Sequence, residues 1–205
     1  MNLPNKITLS RVFLVPIFMI FVIPLPDWLL NGELLRFIHP QMLSINRFIV
    51  YYGNYIAAFI YIIAAITDGV DGYIARKRKE ITRLGKFLDP IADKLLVTAA
   101  LIVLLIRNDV TGWAAMIIIG REFIVTGLRL VAAGEGIVIA ASKMGKLKTI
   151  TQLIAVVASL LDNYPLSLFT SFRFDQVAMF IAVIITIYSG YDYYKKNINV
   201  ISSNL

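Results

Sequence analysis

The chain has no cysteine, a single histidine (His39), and charges on only 16% of its 205 residues. Without cysteine there are no disulfides, thiolate nucleophiles or cysteine-bound zinc, and one histidine excludes a multi-histidine metal site. The scarcity of charge, beside 59% hydrophobic residues, excludes a water-soluble globule, a disordered chain and a fibrous repeat, because soluble domains carry about 25% charged residues. Any chemistry must use carboxylates, Lys, Arg, hydroxyls or backbone. What remains is an all-α polytopic membrane protein forming a single domain over 1–205. At about 20 residues per spanning helix, plus loops, that length holds six spans.

The spans are expected at 12–26, 48–67, 89–106, 111–133, 148–162 and 175–194. Only Phe48–Thr67 is an uncharged stretch of full spanning length, so the others must absorb polar residues at their ends. Met1–Arg11 is polar and short, and the apolar run after it carries Pro16, Pro24 and Pro26 without a small-residue cleavage site. It therefore reads as an N-terminal interfacial segment leading into the first span rather than a cleaved signal. Segment 27–47 contains Asn31-Gly32 and His39-Pro40, which are turn signals, and is expected to be a loop or an interfacial stretch.

Six spans put both termini on one side of the membrane. Thirteen of the 20 Lys and Arg fall on that side and four on the other, while Lys94, Arg121 and Arg129 lie inside spans. The excess places the termini and the 72–88 loop in the cytoplasm. The net charge of +7 thus follows membrane topology, and no nucleic-acid partner is expected.

The chemistry lies around that loop. Asp68 and Asp71 are i, i+3 at the cytoplasmic end of the second span, and Asp89 and Asp93 are i, i+4 at the start of the third. Each spacing puts two carboxylates on one helix face. Taken singly, each aspartate reads equally well as a solvated cap, and Asp89 before Pro90 as an N-cap. Taken together they are costly: an aspartate inside the membrane costs roughly 2.5–3.5 kcal/mol even on insertion scales, before mutual repulsion. Two divalent cations would neutralise four carboxylates, and a hard oxygen donor set favours Mg²⁺ or Mn²⁺. Such an ion pair serves displacement at phosphorus. Gly69 and Gly72 flank Asp71 and leave a helix face open to a phosphate, which Arg76 can hold bidentately.

The run Asp68-x2-Asp71-Gly72-x2-Ala75-Arg76-x8-Gly85-x3-Asp89-x3-Asp93 resembles, without departure, the signature of the CDP-alcohol phosphatidyltransferase family. The resemblance implies a six-helix, homodimeric membrane enzyme that moves a phosphatidyl group from a CDP-linked lipid to an alcohol and releases CMP. It implies Asp68, Asp71 and Asp89 as metal ligands, with Asp93 at the same centre as the catalytic base. It also implies that Asp71, Gly72, Ala75 and Arg76 contact the cytidine diphosphate of CDP-diacylglycerol. A bacterial plasma membrane, with the active site facing the cytoplasm, is the implied location.

Two further segments bear on the acceptor. Arg121, Glu122 and Arg129 lie within the fourth span. Glu122 and Arg129 could form an internal ion pair that lets the span insert, or Arg121 and Arg129 could line a cavity for an anionic substrate. Ser142, Lys143, Lys146 and Lys148 follow in the next cytoplasmic loop, either as ordinary positive-inside charge or as further contacts. These segments, with Asn2–Arg11, resemble the branch of the family whose acceptor is sn-glycerol 3-phosphate. On that resemblance Arg121, Arg129, Ser142, Lys143 and Lys146 bind glycerol 3-phosphate. Thr8 and Arg11 meet the CDP-diacylglycerol head group, unless Thr8 is only an N-cap. The rival acceptors are inositol phosphate, serine or a second lipid. The rival class is an ion-coupled transporter, which would often show two related halves; the aspartate motif has no repeat.

Overall fold

A computed structural model describes the backbone of residues 3–30, 39–78, 83–134, 137 and 142–202; the side chains of 3–8, 68–78, 83–90, 93 and 198–202 fall outside the description. Every regular element among the described residues is helical: α1 (Leu3–Val22), α2 (Asp27–Leu30), α3 (His39–Arg78), α4 (Arg83–Ile106), α5 (Gly112–Gly134), α6 (Lys143–Leu160) and α7 (Phe174–Ser202), with a short 3-10 turn at Leu166–Leu168. The all-α expectation holds, and the six long helices correspond one to one with the six expected segments. Among the described residues, two stretches, His39–Thr67 and Phe174–Asn197, are long and apolar enough to cross a membrane.

Several boundaries differ from the sequence reading. Residues 3–11 are continuous with α1 rather than a separate segment. His39-Pro40 opens α3 instead of breaking the chain. Proline is at home in a first turn, where its missing N–H would have no intrahelical partner. The helix does not stop at Gly69 or Gly72 but runs on to Arg78, and α4 begins at Arg83, so most of the expected 72–88 loop is helical. Likewise α6 starts at Lys143, because Ser142 caps it: the Gly145 N–H donates to Ser142 Oγ at 3.0 Å.

The helices fall into two compact units, Met1–Val103 and Leu104–Leu205. In the first, α1 packs along α3, and the Leu25 N–H donates to Asn46 Oδ1 at 2.9 Å to fix the turn after α1. The helices approach closely where Gly53 faces α1, since a Cβ there would overlap the Phe21 carbonyl oxygen. Along α3, several small residues are buried and several large apolar ones are exposed. Ala57, Ala58 and Ala64 of α3 are buried, whereas Phe59 is 64% exposed and Ile66 60%. Small residues inside and large apolar ones outside are what helices in lipid require, since lipid solvates the large side chains and packing rewards close approach.

In the second unit α5 and α6 both pack along α7. Gln152 Nε2 of α6 donates to Thr186 Oγ1 of α7 at 2.9 Å, and that hydroxyl donates to the Ala182 carbonyl at 2.6 Å, so this buried polar pair is satisfied. At one end of the unit, Arg107 bridges Asp109, at 2.8 Å, and Asp162.

Candidate active site

The aspartate motif lies on the last turns of α3 and the first turns of α4. Asp68 and Asp71 stand on α3, with Gly72, Ala75 and Arg76 in its last two turns, and Asp89 and Asp93 stand on α4. Their side chains, like that of Thr8 on α1, lie outside the described set. The backbone alone is informative. Helical φ, ψ through both segments makes the i, i+3 and i, i+4 spacings real, so each pair shares a helix face. Four residues separate Arg78 from Arg83, a connection that spans at most roughly 18 Å and favours antiparallel neighbours. Asp71 lies seven residues before Arg78, and Asp89 lies six after Arg83. At a 1.5 Å rise they are about 10 and about 9 Å back from the connection, each along its own helix. A donor set of four carboxylates, with neither Cys nor His, fits hard divalent cations such as Mg²⁺ or Mn²⁺.

Arg11 of α1 belongs to the same unit and is buried, at 4% exposure. A guanidinium is kept so deep only with partners or a ligand to compensate its lost hydration.

The second unit carries the basic residues of the acceptor assignment. Arg121, Glu122 and Arg129 project from α5. The partner of Glu122 is Lys148 of α6, not Arg129: the Lys148 ammonium meets Glu122 Oε1, with the two side chains 6% and 8% exposed. Arg121 Nη1 stands 3.8 Å from the same carboxylate, and its Nη2 donates to Ser189 Oγ of α7 at 2.9 Å. Arg129 lies over the ring of Tyr193, 5.8 Å from the centroid, a cation–π arrangement. One carboxylate thus faces two cations, and Lys148 already neutralises it. Lys143 and Lys146 are exposed on the first turns of α6, and the acceptor side of the Ser142 hydroxyl is taken by the helix cap, leaving its O–H to donate.

Three participants escaped the sequence reading. Lys148 passed for one of three loop lysines. Ser189 and Tyr193 were not singled out, although Thr186, Ser189 and Tyr193 recur at i, i+3 and i+7 along α7, the signature of one helix face.

Residues 1–188 match the family model of the CDP-alcohol phosphatidyltransferases. Among curated proteins, the chain is 48% identical over 196 residues to the CDP-diacylglycerol--glycerol-3-phosphate 3-phosphatidyltransferase of Bacillus subtilis (strain 168), covering 96% of this chain and 95% of the relative. It is 33% identical over 194 residues to the protein of the same name from Rickettsia bellii (strain RML369-C), covering 95% and 94%. The Escherichia coli (strain K12) protein of that name is 33% identical over 162 residues, 76% of this chain and 74% of the relative.

Proposed function

Because the chain belongs to the CDP-alcohol phosphatidyltransferase family, we propose that it transfers the phosphatidyl group of CDP-diacylglycerol to sn-glycerol 3-phosphate, giving phosphatidylglycerophosphate and CMP. The observation that supports this reading is the placement of Asp68 and Asp71 on α3 and of Asp89 and Asp93 on α4, at similar helical distances from the α3–α4 connection. The acceptor follows from the names of relatives that align over nearly the whole chain.

The residues divide the work. Asp93 takes the proton of the glycerol 1-hydroxyl as that oxygen attacks the lipid-linked phosphorus, and the phosphorus–oxygen bond to CMP breaks. Asp68, Asp71, Asp89 and Asp93 would hold two divalent cations, which when bound supply neutralisation of the phosphates and of the departing CMP. Gly72, Ala75 and Arg76, with Asp71, bind the cytidine diphosphate, and Thr8 and Arg11 meet the donor's head group. Arg121, Arg129, Ser142, Lys143 and Lys146 bind the acceptor's phosphate and contribute orientation rather than bond making.

The setting is an integral membrane protein of one domain with six spans, homodimeric, in a bacterial plasma membrane, its site open to the cytoplasm. Helix α3 supports this arrangement. Its 40 residues extend about 60 Å, twice the roughly 30 Å hydrocarbon core of a bilayer. With 48–67 in the core, the aspartate end stands at the interface, where the donor's acyl chains can stay in lipid while its head group meets a soluble acceptor. The test is product analysis by mass spectrometry on the purified chain in lipid vesicles. Phosphatidylglycerophosphate forms when CDP-diacylglycerol, Mg²⁺ and glycerol 3-phosphate are all present; its absence overturns the proposal.

A further inference from the structure

We infer that Tyr193 is a specificity-determining residue that donates its hydroxyl to the acceptor's phosphate, in a subsite it forms with Arg121 and Arg129; the inference rests on the function proposed above and lies wholly within the second unit. Tyr193 is 3% exposed, and its hydroxyl has no hydrogen-bond partner among the described residues. A phenol so deeply buried normally finds a partner. Beside it, Arg121 also keeps its Nε–H without an acceptor. Its Nη2 is spent on Ser189, one turn before Tyr193 on the same face of α7. Arg129 sits over the Tyr193 ring, and its charge acts on Arg121 through space.

Three features of this group point to an anion. The donors are unspent, namely a phenolic O–H and a guanidinium N–H. The charge is unbalanced, since Lys148 answers Glu122 and leaves Arg121 and Arg129 repelling each other. The placement is close: the Arg121 stem lies against α7, its Cγ 3.4 Å from where a Cβ on Gly190 would stand. A tetrahedral phosphate offers the acceptor oxygens that these donors lack, and its negative charge relieves the repulsion between the two guanidinium groups. A sugar without phosphate brings hydroxyl acceptors but no negative charge, and so would leave the two guanidinium groups repelling each other. The phenol thereby favours phosphorylated acceptors.

The experiment compares Tyr193→Phe with the unsubstituted chain in lipid vesicles, measuring KM for glycerol 3-phosphate, KM for CDP-diacylglycerol, kcat and melting temperature. Phenylalanine keeps the ring under Arg129 and removes only the hydroxyl. The expected result is a rise of about tenfold or more in KM for glycerol 3-phosphate, as for a lost hydrogen bond to a charged group, with the other three quantities little changed. Tyr193→Leu, which also removes the ring, should raise that KM further. An unchanged glycerol 3-phosphate KM in Tyr193→Phe overturns the inference, as does a parallel loss for both substrates accompanied by a lower melting temperature. If Arg121→Gln raises that KM while Tyr193→Phe does not, the inference fails and the proposed function stands. If the unsubstituted chain shows no glycerol 3-phosphate-dependent turnover, the proposed function itself fails.

Discussion

Lys148 of α6 reaches Glu122 of α5 in a buried ion pair, and this pair, rather than one between Glu122 and Arg129, compensates the carboxylate inside the second unit. Removing one member strands the other. Lys148→Met should therefore destabilise the protein by about 3–5 kcal/mol, read as a lower melting temperature in detergent. The double variant Glu122→Gln/Lys148→Met should recover much of the loss. Arg129→Gln should leave the melting temperature nearly unchanged; a collapse there instead would mean that Arg129 is the true partner.

Gly53 marks a close approach of α1 and α3. Alanine there must push the Phe21 backbone away, so Gly53→Ala should lower the melting temperature by an overpacking cost of about 1–3 kcal/mol. Alanine at Gly120, where nothing stands within 4 Å, is the matched control and should be neutral or slightly stabilising.

The four aspartates should behave as one metal-dependent set. Chelation should abolish turnover, and Mg²⁺ or Mn²⁺ should restore it. Asp→Asn at 68, 71 or 89 should raise the metal concentration needed for half-maximal rate. Asp93→Asn should lower kcat by about 10²-fold or more while CDP-diacylglycerol still binds, the usual contribution of a general base. Full activity in excess chelator would rule out the metal site.

Asp109, in the turn between α4 and α5, gives a pH signature. Its burial pushes the carboxyl above the ordinary 3.8, against the pull of Arg107, with Asp162 adding to the rise. The folded state therefore binds the proton more tightly than the unfolded chain. The stabilisation is fully present below the unfolded value and is lost as pH rises through the higher folded one. Asp109→Asn should flatten the melting-temperature profile across the acidic range above 3.8; an unchanged slope would contradict the assignment.

The sequence showed the helices and the motif better than it showed partners. Apolar runs and the i, i+3 and i, i+4 aspartates are local features, and the helical backbone reproduces them. Helix ends misled because the same residues serve two purposes. His39-Pro40 suits a turn or a first helical turn, and Ser142 suits a ligand or a cap; the decision depends on neighbours that the local pattern does not reveal. Partner choice was out of reach for a different reason. Glu122 has Arg129 on its own face seven residues on, and only the register of α5 against α6 puts Lys148 closer. The polar face of α7 was visible as a period, but its meaning depends on Arg121 and Arg129 arriving from another helix.

The most direct test of the central claim is CMP release from CDP-diacylglycerol by the purified chain in vesicles containing Mg²⁺, measured against glycerol 3-phosphate, inositol phosphate, serine and a lipid alcohol. The account predicts CMP release that depends on glycerol 3-phosphate and vanishes with chelator. Release driven by another acceptor while glycerol 3-phosphate is inert, or no release with any of them, would contradict it.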